Sequence, residues 1–192
     1  MHDFALYFSL GRQHIANLRG LDHILFVTAL CVRYLFDDWK KLLIIITAFT
    51  VGHSATLVLS VFRILHVSSR WIEFLIPVTI VLAAIANVFA KKFVYRHKYP
   101  PIYFLALCFG LIHGLGFSNY LRGLLGRGNI VIQLLAFNLG LEFGQMLIVL
   151  AILLLTFVCV NICKVNRREY ILFLSGGVLA VAVQMALERI PF

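Results

Sequence analysis

Polar side chains capable of chemistry interrupt long apolar stretches of this sequence. They are His14, Asp22, His23, His53, Ser54, Glu73, Asn87, His113, Asn138, Glu142 and Gln145. Imidazole nitrogen combined with carboxylate oxygen is a ligand set suited to zinc, nickel, cobalt or copper ions. A histidine in an apolar helix can instead form a structural hydrogen bond to a neighbouring helix. Both interpretations stay open for any single histidine, and the set as a whole favours metal binding.

The spacing of these residues places several of them on common helix faces. Asn138, Glu142 and Gln145 are spaced i, i+4 and i+7, which predicts one stripe of a helix facing the interior of a bundle. His53 and Ser54 share a face with Thr50 in the same way, and we expect His53 and His113 to be neighbours that share one ligand.

Two glycine pairs lie close to these polar residues. Gly110 and Gly114 bracket an imidazole, and Gly140 and Gly144 bracket a carboxylate. Each pair fits the small-xxx-small pattern that lets membrane helices approach closely. We therefore expect the two helices that contain them to contact each other at these glycines.

The composition excludes an ordinary soluble domain, because 62% of the 192 residues are hydrophobic and only 13% are charged. A bilayer core about 30 Å thick needs roughly 20 apolar residues per helix. The apolar runs predict spans at about 21–36, 42–64, 71–90, 102–120, 134–160 and 170–190. Residues 4–18 suit a helix that lies in the interface or across the mouth of the bundle. We predict an all-α, polytopic membrane helix bundle of about six transmembrane helices plus an N-terminal interfacial segment, in one domain over residues 1–192.

The formal charge of +9 comes from small basic groups between the apolar runs, which is typical of topology determinants and not of a nucleic-acid surface. The larger group, expected on the cytoplasmic side, is Arg33, Lys40, Lys41, Lys91, Lys92, Arg96, Lys98, Lys164, Arg167 and Arg168. The smaller group is Arg12, Arg19, Arg63, Arg70, Arg122, Arg127 and Arg189. Both termini are then expected outside, and the start of the chain lacks the pattern of a cleaved signal peptide.

Two further patterns bear on the architecture. The four cysteines lie in or beside apolar runs without CxxC spacing, so we expect packing residues and no disulfide framework or thiolate metal site. Residues 48–54 and 108–114 show a short similarity to each other. With three spans per half, this similarity would correspond to an inverted repeat of the kind found in many transporters.

In combination, four blocks of the sequence resemble the HupE/UreJ family of small membrane proteins. The blocks are His14-Ile15 with residues 20–26, residues 49–57, residues 109–117 and residues 137–145. The resemblance implies a six-span permease of the bacterial inner membrane, associated with uptake of nickel or a related metal for hydrogenase and urease. It also implies functional roles for Asp22, His23, His53, His113 and Glu142. One departure is Ala86 before Asn87, where the family pattern has an acidic residue, so the identity of the ion stays open.

Two functions follow as hypotheses. In the first, a divalent transition-metal ion is captured outside by Asp22 and His23 with His14, and enters a site formed by His53, His113 and Glu142. Further polar side chains would hydrogen-bond to these ligands and orient them without contacting the ion: Ser54, Asn87, Asn138 and Gln145. The alternative is an intramembrane zinc-dependent hydrolase that uses the same residues, with an open metal position for water. The expected partners are the metal ion, the lipid bilayer and a second copy of the chain, without nucleic acid.

Overall fold

The computed structural model describes residues 2–17, 20–62, 64, 67–90, 101–124 and 129–191. All secondary-structure elements within these residues are helices, with no strand, which confirms the predicted all-α class. The helices are α1 (His2–Ile15), α2 (Asp22–Cys31), α3 (Trp39–Val61), α4 (Ser69–Phe89), α5 (Pro101–Leu124), α6 (Ile130–Thr156) and α7 (Arg167–Glu188). A 3₁₀ turn, Phe36–Asp38, precedes α3, and a π-helical segment, Phe157–Ile162, continues α6.

Four helical stretches of the described chain are long and apolar enough to cross a membrane: Phe36–Val61, Ser69–Phe89, Ile130–Ile162 and Arg167–Glu188. The fold is therefore a helical membrane bundle, and the prediction of about six such spans is wrong, since about four qualify. The apolar run at 21–36 forms a helix of only 10 residues, because the helix ends at Cys31. Such a helix rises roughly 15 Å, about half of a bilayer core.

The N-terminal segment packs along α6. A Cβ atom added at Gly11 would overlap the carbonyl oxygen of Phe137, and one added at Gly140 would overlap the carbonyl oxygen of Phe8. Close approach of the two backbones is possible only because these positions lack a side chain. The expected interfacial segment is thus an integral part of the bundle.

The pair α3 and α5 meets in the same manner. A Cβ atom at Gly110 would overlap the carbonyl oxygen of Phe49, and one at Gly114 would overlap the carbonyl oxygen of His53. The glycines of α5 therefore face α3, and those of α6 face α1, so the expected α5–α6 contact at the glycines is wrong. The helices α5 and α6 meet elsewhere, where the rings of Phe117 and Phe137 stack with centroids 5.2 Å apart.

The two glycine-mediated pairs have the same internal arrangement but opposite directions in the bundle. Residue numbers rise together along both helices of each pair, so α1 is parallel to α6 and α3 is parallel to α5. Contacts of Phe26 in α2 with Phe49 and Phe109, and of His23 with His113, show that α2 is antiparallel to α3 and α5. The similar segments 48–54 and 108–114 therefore lie in parallel helices and contact each other. They are alike because both supply small residues to the close contact between α3 and α5, which we call the α3–α5 seam. The two segments are therefore not related as inverted repeats.

Contacts at the helix ends show which termini lie at the same end of the bundle. Arg167 at the start of α7 donates to the carbonyl oxygen of Arg33 just after α2, at 2.7 Å. Arg168 donates to the carbonyl oxygens of Val88 and Ala90 at the end of α4. At the opposite end, the carboxylate of Asp22 pairs with Arg189. Most of the described residues of the larger basic group therefore lie at the same end of the bundle.

Helices α1 and α2 follow one another in the same direction, because Tyr7 contacts Leu124 and His14 contacts Phe117, so α1 is antiparallel to α5 as α2 is. They contain 14 and 10 residues and rise roughly 21 and 15 Å, which together match about one bilayer core. His14 in the last turn of α1 lies against His23 in the first turn of α2, with ring centroids 4.7 Å apart. The break between the two short helices therefore lies beside a concentration of imidazoles.

Candidate metal centre

Four histidines from four helices form what we call the imidazole cluster: His14, His23, His53 and His113. Ring nitrogens of the first three, one from each, lie within 4.8 Å of one another, and no cysteine or carboxylate of the described residues joins this group. The ring centroid of His53 lies 6.1 Å from that of His14 and 6.2 Å from that of His23. These separations are short enough for a single ion to contact three rings after small side-chain rotations.

His113 adjoins the group through His23, with ring centroids 5.2 Å apart. It is brought there by the seam between α3 and α5, where Gly114 lies against the backbone of His53. His53 and His113 therefore lie in the same region of the bundle and both contact His23, although they are sixty positions apart in sequence.

The cluster is enclosed by aromatic side chains, and three of its four rings are almost inaccessible to solvent, while His14 is partly buried. His53 is 0% exposed, His113 1% and His23 7%. The ring of Phe117 lies 3.7 Å from that of His14 between centroids, and Phe49 lies 5.3 Å from His113. Water is thus largely excluded, and polar interactions inside the cluster are strengthened by the low local dielectric constant.

The ring nitrogens of the cluster have few partners. Both nitrogens of His53 and of His113, and Nε2 of His14 and His23, are buried without a hydrogen bond within the described part of the chain. A buried polar group without a partner costs roughly 1–3 kcal/mol. Six such atoms in one place are a large cost unless a ligand binds them, and the lone pair of a neutral imidazole is a good ligand for a borderline transition-metal cation.

The two carboxylates expected at the metal have other partners. Asp22 precedes His23, but its oxygens accept from Arg189 at 3.2 and 3.3 Å. Glu142 accepts a hydrogen bond from Thr47 in α3 at 2.9 Å. Among described residues the structure therefore assembles nitrogen ligands in the cluster and places both carboxylates elsewhere.

The expected supporting residues also separate into different places. Ser54 and Glu142 line the same groove between α3 and α6, and Gln145 accepts from Thr50 at 2.8 Å. Asn87 donates to the carbonyl oxygen of Ala29 at 2.6 Å and so connects α4 to α2. The Oδ1 atom of Asn138 is buried without a hydrogen-bond partner in the described chain.

Sequence reasoning did not predict the hydrogen-bond and ion-pair partners that determine these placements, although it had placed Thr50 on the face of His53 and Ser54. Thr47 and Thr50 bind the polar stripe of α6, and Arg189 binds Asp22. The sequence did contain a pattern that indicates Thr47 and Thr50. Both lie on the helix face of Ser54, which is seven residues after Thr47. No local pattern indicated Arg189, because it lies 167 positions from its partner.

The fold and the cluster define a polytopic helical membrane protein with an enclosed group of histidines. The family model described as HupE / UreJ protein matches residues 1–189, nearly the whole chain. The chain belongs to the HupE/UreJ family, as its motifs indicated. No curated protein and no solved structure shows a significant match to it.

Proposed function

We propose that the protein moves a divalent transition-metal ion across the bacterial cytoplasmic membrane, with the imidazole cluster as its intramembrane binding site. The observation that carries the proposal is the set of six buried ring nitrogens without partners, all in one aromatic enclosure. Ionisable residues inside membrane helices are costly and commonly belong to ion pathways. The association of the HupE/UreJ family with nickel and cobalt transport supports the same function.

The chemistry of the ligand set suits transport. Three or four neutral imidazoles bind nickel, cobalt, copper or zinc without the very tight retention of a thiolate cage. Transport requires a site that is favourable enough to enter and weak enough to leave. Asp22, next to His23 and near the outer end of the bundle, is proposed to exchange its partner Arg189 for the hydrated cation before the water of the ion is replaced by imidazole nitrogen.

The architecture supports a transporter as well. Oppositely directed helix pairs and a break between short helices beside the substrate site are both features of secondary transporters. The pair α1–α6 contributes His14, the pair α3–α5 contributes His53 and His113, and α2 contributes His23 between them. The proposed ion would therefore be held at the junction of the two pairs.

The hydrolase alternative requires a carboxylate near the metal to activate a water molecule. Asp22 pairs with Arg189 and Glu142 bonds to Thr47, so neither is grouped with the imidazole nitrogens. The aromatic enclosure also gives water little access. We therefore prefer transport, and an ion-dependent turnover of lipid or peptide without ion flux would favour the hydrolase instead.

The proposed orientation places both termini outside. The positive-inside rule assigns the end with Arg33, Lys40, Lys41, Arg167 and Arg168 to the cytoplasm. Contacts of Arg167 and Arg168 at the start of α7 with the ends of α2 and α4 support a common end for these three helix termini, two of which carry charges of this group. Of the residues counted for orientation, Arg19, Arg63, Lys91, Lys92, Arg96, Lys98 and Arg127 lie outside the described residues, and nothing is described of the side chain of Arg122.

The first test is elemental analysis and nickel titration of the purified protein together with single and double alanine variants of His53 and His113. If both rings hold one ion, either single substitution abolishes high-affinity binding, and the double substitution costs little more than the worse single one. The matched control is His2→Ala, at the opposite end of α1 from His14 and roughly 18 Å along its axis. Additive losses, or high affinity that survives in either single variant, would contradict a shared site.

The second test separates binding from movement. Wild-type protein in proteoliposomes should take up nickel, cobalt or zinc into a lumen that contains a metal-sensitive dye, and His53→Ala should not. Normal binding by the wild type without any uptake would refute transport while leaving the metal site intact.

A further inference from the structure

A pocket outside the imidazole cluster lies between α2, α4 and α5 and has a volume of about 300 Å³. Its lining is mainly aliphatic and contains three polar residues: Arg33, Tyr34 and Asn87. None of the described residues that line the pocket is acidic, and none is a histidine. The pocket therefore offers an apolar surface together with one positive charge.

The charged side chain at this pocket is held inside the protein. Arg33 is 7% exposed, and the other two polar residues are 4% exposed each. Asn87 donates to the carbonyl oxygen of Ala29, which fixes α4 and α2 on either side of the pocket. A guanidinium in such surroundings attracts an anion more strongly than one in water, because the local dielectric constant is low. Its planar set of N–H groups matches the oxygens of a phosphate.

The pocket opens toward the bilayer. Leu82 of α4 and Leu105 of α5 line it and are 54% and 42% exposed. Since α4 is long and apolar enough to cross a membrane, these exposed side chains face lipid acyl chains in the bilayer. A molecule that enters between them therefore comes from the lipid phase and has an apolar part.

The charged end of the pocket lies at the depth of the lipid headgroups. Arg33 follows the last residue of α2 by two positions, and its carbonyl oxygen accepts from Arg167 in the first turn of α7. Trp39, which is half exposed at the start of α3, has the ammonium group of Lys40 5.6 Å from its ring centroid. Exposed tryptophan beside basic residues is typical of the membrane–water interface.

From this depth the pocket extends into the membrane. Ile102 in the first turn of α5 and Phe109 both line it, and seven residues of helix rise roughly 10 Å. That length accommodates part of one acyl chain, whereas the volume is too small for a whole phospholipid. The remainder of a bound lipid would stay in the bilayer.

The end of the bundle around this pocket has an excess of positive charge among the described residues. Its basic residues are Arg33, Lys40, Lys41, Lys164, Arg167 and Arg168. Its acidic residues are Asp37, Asp38 and Glu169. Basic groups at the membrane surface attract lipids with negatively charged headgroups.

We propose that this pocket binds an anionic phospholipid, with its phosphate against Arg33 and part of one acyl chain between Leu82 and Leu105. Basic pockets between transmembrane helices are a known setting for such headgroups. A soluble phosphate has no apolar part to match the opening between α4 and α5, and a metal cation is repelled by the guanidinium. The inference does not depend on the proposed transport, because lipid binding is measured without metal.

The charge is tested by native mass spectrometry of the full-length protein released from detergent micelles. The protein is titrated with dioleoylphosphatidylglycerol and, separately, with zwitterionic dioleoylphosphatidylcholine, which has the same acyl chains. Wild-type protein should bind one phosphatidylglycerol per chain at least about fivefold more tightly than phosphatidylcholine, since one basic residue near the surface contributes about that factor. Arg33→Gln should remove this preference. The matched control Lys40→Gln removes one charge at the same end, from an exposed residue outside the pocket, and should keep it.

The shape of the pocket is tested without a change of charge. Ala86 lines the pocket and is exposed, so Ala86→Phe should fill the space for the acyl chain without disturbing the core. This variant should bind phosphatidylglycerol at least about fivefold more weakly than wild type, because the chain loses its apolar surface. The matched control Ile85→Phe, at the neighbouring exposed position that does not line the pocket, should bind it as wild type does. The pair also decides the matter if Arg33→Gln does not fold.

Three outcomes would overturn the lipid site. They are equal affinity of wild-type protein for the two lipids, unchanged phosphatidylglycerol binding in Arg33→Gln or Ala86→Phe, and displacement of the lipid by an excess of inorganic phosphate. The last outcome would indicate a site for soluble phosphate instead. Nickel titration of the same samples keeps the two proposals apart: lipid binding through Arg33 in a protein that binds no nickel would support this inference and contradict the proposed function.

Discussion

Replacing His53 by leucine should make the metal-free protein more stable while it destroys the metal response. His53 is 0% exposed, and neither of its ring nitrogens has a hydrogen-bond partner in the described chain. Removing unsatisfied polar atoms recovers roughly 1–3 kcal/mol, and a hydrophobic side chain of similar size costs less than about 1.5 kcal/mol in packing. We therefore expect a net gain of about 1 kcal/mol, or about 2–4 °C in Tm for a chain of this length.

The same variant should lose the stabilisation by metal. A ligand that binds only the folded protein adds about 2.7 kcal/mol at a hundred times its Kd. Thermal unfolding in detergent with a chelator should thus rank His53→Leu above wild type, and saturating nickel should reverse that order. His2→Leu should follow wild type in both conditions. A metal-free His53→Leu protein that is less stable than wild type, or that still responds to nickel, would refute the reasoning from unpartnered nitrogens.

Three further predictions concern pH, packing and topology. Nickel affinity should fall as the pH is lowered into the acid range, because imidazoles bind metal only when neutral and protons compete for the same lone pairs. Nickel titration across pH measures this, and an affinity that does not change with pH contradicts imidazole ligation. Gly140→Ala should destabilise the protein by about 1–3 kcal/mol, since its Cβ would overlap the carbonyl oxygen of Phe8. Gly176→Ala, with open space around it, should stabilise the protein by about 0.4–1 kcal/mol. Equal effects of the two substitutions in thermal unfolding would contradict the close contact between α1 and α6. A cysteine placed in residues 91–98 should resist an impermeant thiol reagent in intact cells and one near Arg122 should react, with the reverse pattern contradicting the orientation.

The sequence was informative about which side chains matter. Imidazoles in apolar runs are costly wherever they lie, so His14, His23, His53 and His113 were identifiable from residue type and position, and the structure brings all four together. The small residues around them were identifiable for the same reason, because glycine pairs at i and i+4 predict a close helix contact.

Partner choice was not predictable from these patterns. The period of a helix shows which of its faces is polar, but not which helix lies opposite. Gly140 was therefore expected against α5 and lies against α1. The first predicted span failed for a related reason, since the apolar run at 21–36 contains no local signal for the end of α2 at Cys31. The partner of Glu142 depends in the same way on the relative rotation of α3 and α6, which only the packed bundle determines.

The seam between α1 and α6 joins the first helix of the chain to the sixth. At a translation rate of about 5–20 residues per second, the ribosome needs on the order of ten seconds after making α1 before α6 has been synthesised. Throughout that interval α1 lacks the glycine surface against which Gly11 packs, and His14 lacks the support that holds it beside His23 and His53. The four histidines of the cluster are therefore not held together until the last third of the chain has been inserted, so the proposed metal site is completed late in synthesis.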